Sequence, residues 1–261
     1  MDAIRSSDME LARRIEGLEA AGGQKAARSA GAPAEPCLGG CALFGGADSP
    51  MTHALGIGMH GPVTEREFEA MERFFFDRGS PVMIDLCPLA HDSVQEFVRK
   101  RGYTITEFNN VMVRRLDEEI PAPVAEIRKV DREETHLWCR LILEGFSEIQ
   151  PVAEDAAEVL IKSCCEFDCF VASVDGAPAG GGAMNLHDGA AALFGDATLA
   201  KFRGRGIQQA LIAHRARLAR DASCDLAVAC VVPGSGSHRN YERLGFRLLY
   251  MRVNVMRKPT I

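Results

Sequence analysis

Lys201-Phe-Arg-Gly-Arg-Gly-Ile-Gln-Gln-Ala-Leu-Ile212 is the stretch whose reading decides the fold. Upstream runs an apolar segment, Ala190-Ala-Ala-Leu-Phe194, followed by Gly195-Asp-Ala-Thr-Leu199. Downstream, apolar residues fall at Ile207, Ala210, Leu211 and Leu218, with Gln208, Arg215, Arg217 and Arg220 between them. That spacing predicts a helix. The segment therefore reads as strand, glycine-bearing turn and helix. Gly204 and Gly206 free the backbone for a tight turn and a close approach to a ligand. The first amides of a helix lack internal acceptors and sit at the positive end of its dipole. Such a corner is suited to a phosphate group.

Two nucleotide readings fail. A P-loop needs Gly-Lys-Ser/Thr, but Ile207 and Gln208 follow Gly206. The dinucleotide fingerprint needs three spaced glycines, and two are present. Arg203-Gly-Arg-Gly206-Ile-Gln208 instead resembles the acetyl-CoA loop of the GNAT superfamily of N-acetyltransferases, Arg/Gln-x-x-Gly-x-Gly/Ala. Gln208 departs from the small final residue, although its backbone amide remains a donor. A second segment, Pro233-Gly-Ser-Gly-Ser-His-Arg-Asn-Tyr-Glu-Arg-Leu-Gly-Phe246, follows the apolar run Leu226–Val232. Ser237 is placed to cap a short helix and Gly245 to end it. Tyr241, Gly245 and Phe246 resemble the GNAT Tyr-x-x-x-Gly-Phe motif, in the expected order after the loop.

The resemblance implies an acetyl-CoA-dependent transfer to a primary amine, by direct attack in a ternary complex. Backbone amides from Arg203 through Gly204, Arg205, Gly206 and Ile207 to Gln208 would hold the pyrophosphate. The strand carrying Asp196, Ala197 and Thr198 would pair with the peptide-like pantetheine arm. An amide near Ala197–Thr198 would face the thioester oxygen as charge develops there. Tyr241 is either the proton donor to the leaving thiolate or a core aromatic. Asn240 is placed to touch CoA or to serve the helix start. A carboxylate or a water chain must deprotonate the amine. Asp196 is the first candidate, then Glu144 and Glu148, then His187. A non-catalytic acyl-CoA-binding or regulatory GNAT-like protein is the alternative. The acceptor, a small-molecule or peptide amine, is not legible, and neither is the oligomeric state.

Bulk properties bound the remaining classes. The chain has 261 residues, 47% of them hydrophobic, and a net charge of −6. That length suits about two domains. The acidic balance argues against nucleic acid as a partner. Leu226–Val232, the longest apolar run, is too short to span a bilayer, and the first residues lack the apolar core of a signal peptide. The nine cysteines lack convincing zinc spacing. They read as reduced cytoplasmic thiols, with Cys164, Cys165 and Cys169 as the alternative cluster; no metal is expected.

Along the chain, residues 8–20 read as an amphipathic helix and residues 21–36 as a loop. Cys41–Phe44 and Ala54–Met59 are short strand candidates. Thr64-Glu-Arg-Glu67 is a capping-box signature, and Ser93-Val-Gln-Glu96 is a second helix start. Asp175-Gly176 suits a hairpin turn. The triplet Gly180-Gly-Gly182 suits a bent or bulged strand. Pro88…Phe97…Gly102-Tyr103…Asn110-Val-Met112 echoes Pro233…Tyr241…Gly245-Phe246…Asn254-Val-Met256. The reading is an α/β (α+β) chain of two tandem GNAT-like domains, each a mixed central sheet flanked by helices. Residues 1–118 form a degenerate copy and 119–261 the catalytic one, with a linker at the acidic, proline-bearing 117–124. In the first copy His60-Gly-Pro-Val-Thr64 replaces the loop, Pro62 removes an amide donor, and Phe97 stands where Tyr241 does.

Overall fold

The computed structural model describes residues 6–47, 49–123, 125–147 and 161–259. In chain order the elements are α1 (Ser6–Ala30), β1 (Ala34–Cys37), β2 (Gly40–Leu43), β3 (Ala54–Leu55), α2 (Glu65–Phe76), β4 (Val82–Leu86), α3 (Asp92–Lys100) and β5 (Thr104–Arg115). Then come β6 (Glu126–Lys129), α4 (Thr135–Ser147), β7 (Asp168–Val174), β8 (Ala177–His187) and β9 (Ala190–Thr198). α5 (Ile207–Asp221), β10 (Leu226–Val231), α6 (Gly236–Arg243) and β11 (Arg247–Arg257) complete the order. Contacts divide the chain into two compact units, Met1–Asn109 with Tyr250–Ile261, and Asn110–Leu249. These bounds fall inside β5 and β11, whereas the composition break at 117–124 separates the repeats in sequence.

The first unit carries a mixed sheet ordered β1-β2-β3-β4-β11-β5. β11 enters antiparallel to β4, with Asn254 opposite Asp85. α1 runs ten residues beyond its expected end, through a stretch rich in alanine and glycine. Packing explains the difference. A Cβ at Gly23 would lie 2.5 Å from Leu43 Cδ1 and 2.9 Å from Leu55 Cδ1, and Ala26 and Ala27 are buried. The small residues that looked like a loop let the helix lie close against β2 and β3. The candidate strand at Ala54–Met59 is cut to two residues, because Gly56 and Gly58 turn at φ +67° and +72°.

Helix starts in this unit are capped by side chains. Thr64 and Glu67 form the expected capping box on α2. On α3 the cap is His91, which accepts from the Ser93 amide at 3.2 Å. Ser93 was expected there, but its hydroxyl instead accepts from the Val63 amide at 2.9 Å. α1 is tied down by a buried charge. Glu16 accepts from Tyr250 Oη at 2.6 Å and from Arg252 at 2.9 Å, both on β11.

The second unit is ordered β5-β10-β9-β8-β7-β6. β5 lies antiparallel to β10, with Asn110 opposite Val231. Asp175-Gly176 has φ values of 52° and 75°, and Asp188-Gly189 has 47° and 67°. Both residues of each pair are left-handed, as type I′ hairpins require. Alternate β7 residues face opposite cores. Phe170 and Ala172 pack with Leu211 and Tyr241, while Cys169 and Val171 pack with Trp138 and Ile142. Helices α5 and α6 thus cover one face and α4 the other. No helix among the described residues is long and apolar enough to cross a membrane.

Glu16→Ala removes the buried carboxylate to which Arg252 and Tyr250 donate. Breaking a buried pair from one side costs about 3–5 kcal/mol. Chemical denaturation should show a loss of that order, concentrated in the transition that reports α1.

Candidate active site

The centre of the second unit is an interruption in its sheet. β8 and β9 pair from His187/Ala190 to Ala183/Phe194, and resume at Gly181/Ala197. Gly182 therefore faces two residues, Gly195 and Asp196, which makes a bulge on β9. Gly195 supplies the left-handed turn, with φ +65°. The parallel ladder between β9 and β10 covers Ala190–Ala192 against Leu226–Val228. Past that point β10 continues on β5, and among the described residues the Leu193–Thr198 half of β9 has no ladder to β10.

The glycine triplet makes the interruption possible. A Cβ at Gly181 would lie 2.7 Å from Trp138 Nε1, and one at Gly182 would lie 2.6 Å from Arg215 Cζ. Trp138 uses that space to donate to the Phe170 carbonyl at 3.0 Å. The bend expected of Gly180–Gly182 is present, and it makes room for two large side chains.

At the end of β9 the chain turns through residues 200–206 into α5. Gly204 and Gly206 both have φ +75°, with nothing within 4 Å of a Cβ at either. Gly206 is the N-cap and has no side chain to close the helix end. The first helical bond is from the Ala210 amide to the Gly206 carbonyl at 2.9 Å. In the turn, the Phe202 and Arg203 amides donate to the Leu199 and Ala200 carbonyls at 2.9 and 3.2 Å, while the amides from Gly204 onward precede the first helical acceptor. Arg203 is not a free cation: it donates to the Thr198 carbonyl at 3.2 Å and the Gly145 carbonyl at 3.4 Å. Arg205 lies over the Phe202 ring at 5.7 Å. Ile207 is buried in the core. Thr198 Oγ1 is buried with no hydrogen-bond partner, an unsatisfied polar atom at the open strand end.

α6 stands beside this corner. Its cap is Ser235, which accepts from the His238 amide at 3.0 Å. Ser237, expected as the cap, lies inside the first turn and accepts from Gln208 Nε2 at 2.9 Å. Asn240 donates to Gln208 at 2.7 Å and accepts from Gln209 at 3.0 Å. The amide side chain of Gln208, which departs from the small residue of the motif, thus ties the start of α5 to α6.

Tyr241 and Asp196 meet. The Tyr241 hydroxyl donates to Asp196 Oδ2, a bond from α6 to β9 beyond the end of the β9–β10 ladder. The other carboxylate oxygen pairs with Arg215 of α5. Tyr241 is 1% exposed and Arg215 0%. Burial pushes the Asp196 carboxyl up, and the Arg215 charge and the two hydrogen bonds oppose that rise. Burial, then the Asp196 charge, pushes Tyr241 well above the ordinary tyrosine range. Its phenol stays neutral.

Of the other base candidates, His187 lies far along β9 and Glu144 lies beside the turn that follows it. His187 is exposed opposite Ala190, six β9 residues from Asp196 or roughly 20 Å along a strand. Glu144 lines an open pocket of about 200 Å³ with Leu199, Ala200 and Lys201. Glu148 lies outside the described residues. No group of three or more His, Cys, Asp or Glu among the described residues is arranged to hold a metal.

Arg215 is a site residue that the sequence reading names only as lying between the apolar positions of the helix. It lies four residues after Leu211 and eight after Ile207, on the buried stripe, and Leu218 is the residue that reaches solvent. The spacing from Leu211 carries that signal.

The chain has a mixed α/β fold in which a glycine turn and an uncapped helix start follow the interrupted strand β9. Residues 134–246 match the model of the acetyltransferase (GNAT) family. A GCN5-related N-acetyltransferase from Kribbella flavida is similar over 95% of this chain and 96% of its own, with a TM-score of 0.69 and 18% identity. One from Sphaerobacter thermophilus covers 75% of this chain and 68% of its own, with a TM-score of 0.58 and 19% identity. A tandem GNAT protein from the clavulanic acid biosynthesis pathway covers 85% and 76%, with a TM-score of 0.55 and 13% identity. At these identities the likeness is one of fold, and it takes in the N-terminal half as well. No curated protein sequence matches the chain.

Gly182→Ala tests the packing of the bulge. Its Cβ would fall 2.6 Å from Arg215 Cζ and 2.8 Å from Asp196 Oδ1. Overpacking of this kind costs about 1–3 kcal/mol, which denaturant unfolding should read as a lower midpoint.

Proposed function

We propose that this chain is an acetyl-CoA-dependent N-acetyltransferase that acetylates a primary amine by direct attack in a ternary complex. Residues 119–261 form the catalytic domain in this reading, and residues 1–118 a GNAT-like domain without the CoA loop. One observation carries it. Two left-handed glycines open the unclosed N-terminus of α5 beside the unpaired edge of β9. The amides from Gly204 to Gln208 suit a pyrophosphate, which a helix start attracts; the Arg203 amide, also expected there, is taken by the Ala200 carbonyl. The edge at Ala197 and Thr198 suits the amide groups of the pantetheine arm. Acetyl-CoA supplies the activated acyl group. An amide of this edge is positioned to favour charge on the thioester oxygen, and Tyr241 and Asp196 handle the protons. Asn240 borders the same corner while holding Gln208 and Gln209.

The first half differs at the same point. The Glu67 amide of α2 is taken by the Thr64 hydroxyl, so that helix start has one fewer donor to offer. The cysteines are all free thiols, which supports a reducing, cytoplasmic setting. A small-molecule or peptide amine is the partner in this reading, with neither nucleic acid nor membrane involved.

A second reading, a non-catalytic acyl-CoA-binding protein, is favoured by the burial of Tyr241 and its bond to Asp196. Thiol release across a panel of amines separates the two. The enzyme releases thiol with at least one amine; the binding protein takes up acetyl-CoA in calorimetry and releases none. In the enzyme, Tyr241→Phe should lower kcat by about 10²-fold with acetyl-CoA affinity kept. Gly206→Glu adds strain at a left-handed position and a negative charge. It should weaken acetyl-CoA binding by roughly 100-fold.

A further inference from the structure

Arg215 is wholly buried in the middle of α5, where a guanidinium is stable only with its donors used. Its Nε donates to the Leu211 carbonyl at 3.1 Å. One terminal nitrogen donates to the carbonyls of Ala183, at 2.7 Å, and Phe194, at 3.1 Å. Ala183 and Phe194 are the last paired residues before the bulge. The other terminal nitrogen holds Asp196, the bulged residue itself. One side chain thus satisfies the carbonyls beside the interruption and pins the carboxylate that the interruption turns inward. Gly182 is the residue whose missing side chain admits it.

Resting on the N-acetyltransferase reading above, we infer that Arg215 is a positioning residue: it holds the β9 bulge and keeps Asp196 in place as the store for the amine's proton, with Tyr241 as the relay. An acceptor ammonium gives its first proton to solvent on entry. As the neutral amine nitrogen forms its bond to the acyl carbon, Tyr241 takes a second proton onto its phenol oxygen. Tyr241 passes its own proton to Asp196 Oδ2. The carbon–sulfur bond breaks and its electron pair leaves on sulfur. Asp196 then returns the proton through Tyr241 to that sulfur. Neutral amine and thioester become amide and thiol, with nothing left over.

The charges fit this assignment. Asp196 faces Arg215 from α5 and Tyr241 from α6, while β8 presents the glycine at 182. Arg215 in turn faces Cys169 of β7 and His214 of its own helix. Burial lowers the His214 pKa, with Arg215 and Arg217 adding to the shift, which favours its neutral form. Removing the guanidinium takes away the attraction that favours the Asp196 carboxylate, so its protonated form extends to higher pH.

Arg215→Gln and Arg215→Lys, compared with wild type, test the inference. In the glutamine variant the acid limb of kcat should move up by about 1–3 pH units. Acetyl-CoA affinity should change less than threefold, and lysine should restore most of the wild-type profile. A readout without substrate accompanies this one. The infrared difference between Arg215→Gln and Arg215→Gln/Asp196→Asn at pH 7 should show a protonated-carboxyl band that wild type lacks against Asp196→Asn. If Arg215→Gln does not fold, Asp196→Asn alone decides, with kcat expected to fall as in Tyr241→Phe at unchanged affinity. A wild-type limb with no carboxyl band in folded Arg215→Gln, or wild-type kcat in Asp196→Asn, overturns the relay. A wild-type chain that releases no thiol with any amine overturns the N-acetyltransferase reading instead, and the infrared result still decides the Arg215–Asp196 charge state.

Discussion

A single guanidinium placed inside a sheet is the constraint on which the C-terminal half depends. A bulge leaves ladder carbonyls without their usual partners, and a buried carbonyl without a donor costs free energy. Arg215 meets that requirement for Ala183 and Phe194 together. Its own charge is met by Asp196, the residue that the bulge displaces. The arrangement is mutual: the bulge needs the arginine, and the arginine needs the bulged aspartate. Around it, residues without side chains set the distances. Gly181 and Gly195 admit Trp138 on the α4 face, Gly182 admits Arg215 on the α5 face, and a Cβ at Gly145 would lie 2.8 Å from Ala197 Cβ. Both helices are thereby seated on the stretch of β9 that ends in the glycine turn.

The two halves use one plan with different chemistry at its corner. Each runs strand, helix, strand through β4-α3-β5 and β10-α6-β11, and each closes its helix with a left-handed glycine, Gly102 or Gly245. In the second half the buried Asp196–Arg215 pair lies at the interrupted strand. In the first half the buried Glu72 on α2 binds Arg101, Tyr103 and Arg257 at 2.6–3.0 Å. There a buried carboxylate joins helix to strand, and Phe97 packs on Phe68 with ring centroids 5.2 Å apart. Phe97 has no hydroxyl to move a proton, and Thr64 caps a helix start that glycine leaves unclosed in the other half.

What was legible in the sequence followed from local rules. The Thr64/Glu67 box, the Asp175-Gly176 hairpin, the strand before Lys201 and the glycine turn into α5 each depend on residues within a few positions of one another. What was not legible depends on distant partners. Ala21–Ala30 reads as a loop until Leu43 and Leu55 are brought beside Gly23. Arg215 is only a charge between apolar helix positions in the sequence, and its role depends on Gly182, more than thirty residues away, vacating the space for it. Ser93 and Ser237 suit helix caps by their place in the sequence, yet the Val63 amide and the Gln208 side chain claim their hydroxyls. Tertiary partners outcompete local preference in each of these cases.

The exchange of strands between the repeats bears on how the chain is made. β4 lies beside β11, so the N-terminal sheet gains its neighbour to β4 when residues 250–257 arrive. During synthesis the early strands must therefore wait, with the edge of β4 uncovered, until Val253–Arg257 have emerged. Pairings of such sequence separation are slow to form, and an uncovered edge invites association with other chains. Folding of the N-terminal sheet on the ribosome is thus tied to a strand translated long after its partner, and a chain interrupted before that strand would expose the edge of β4.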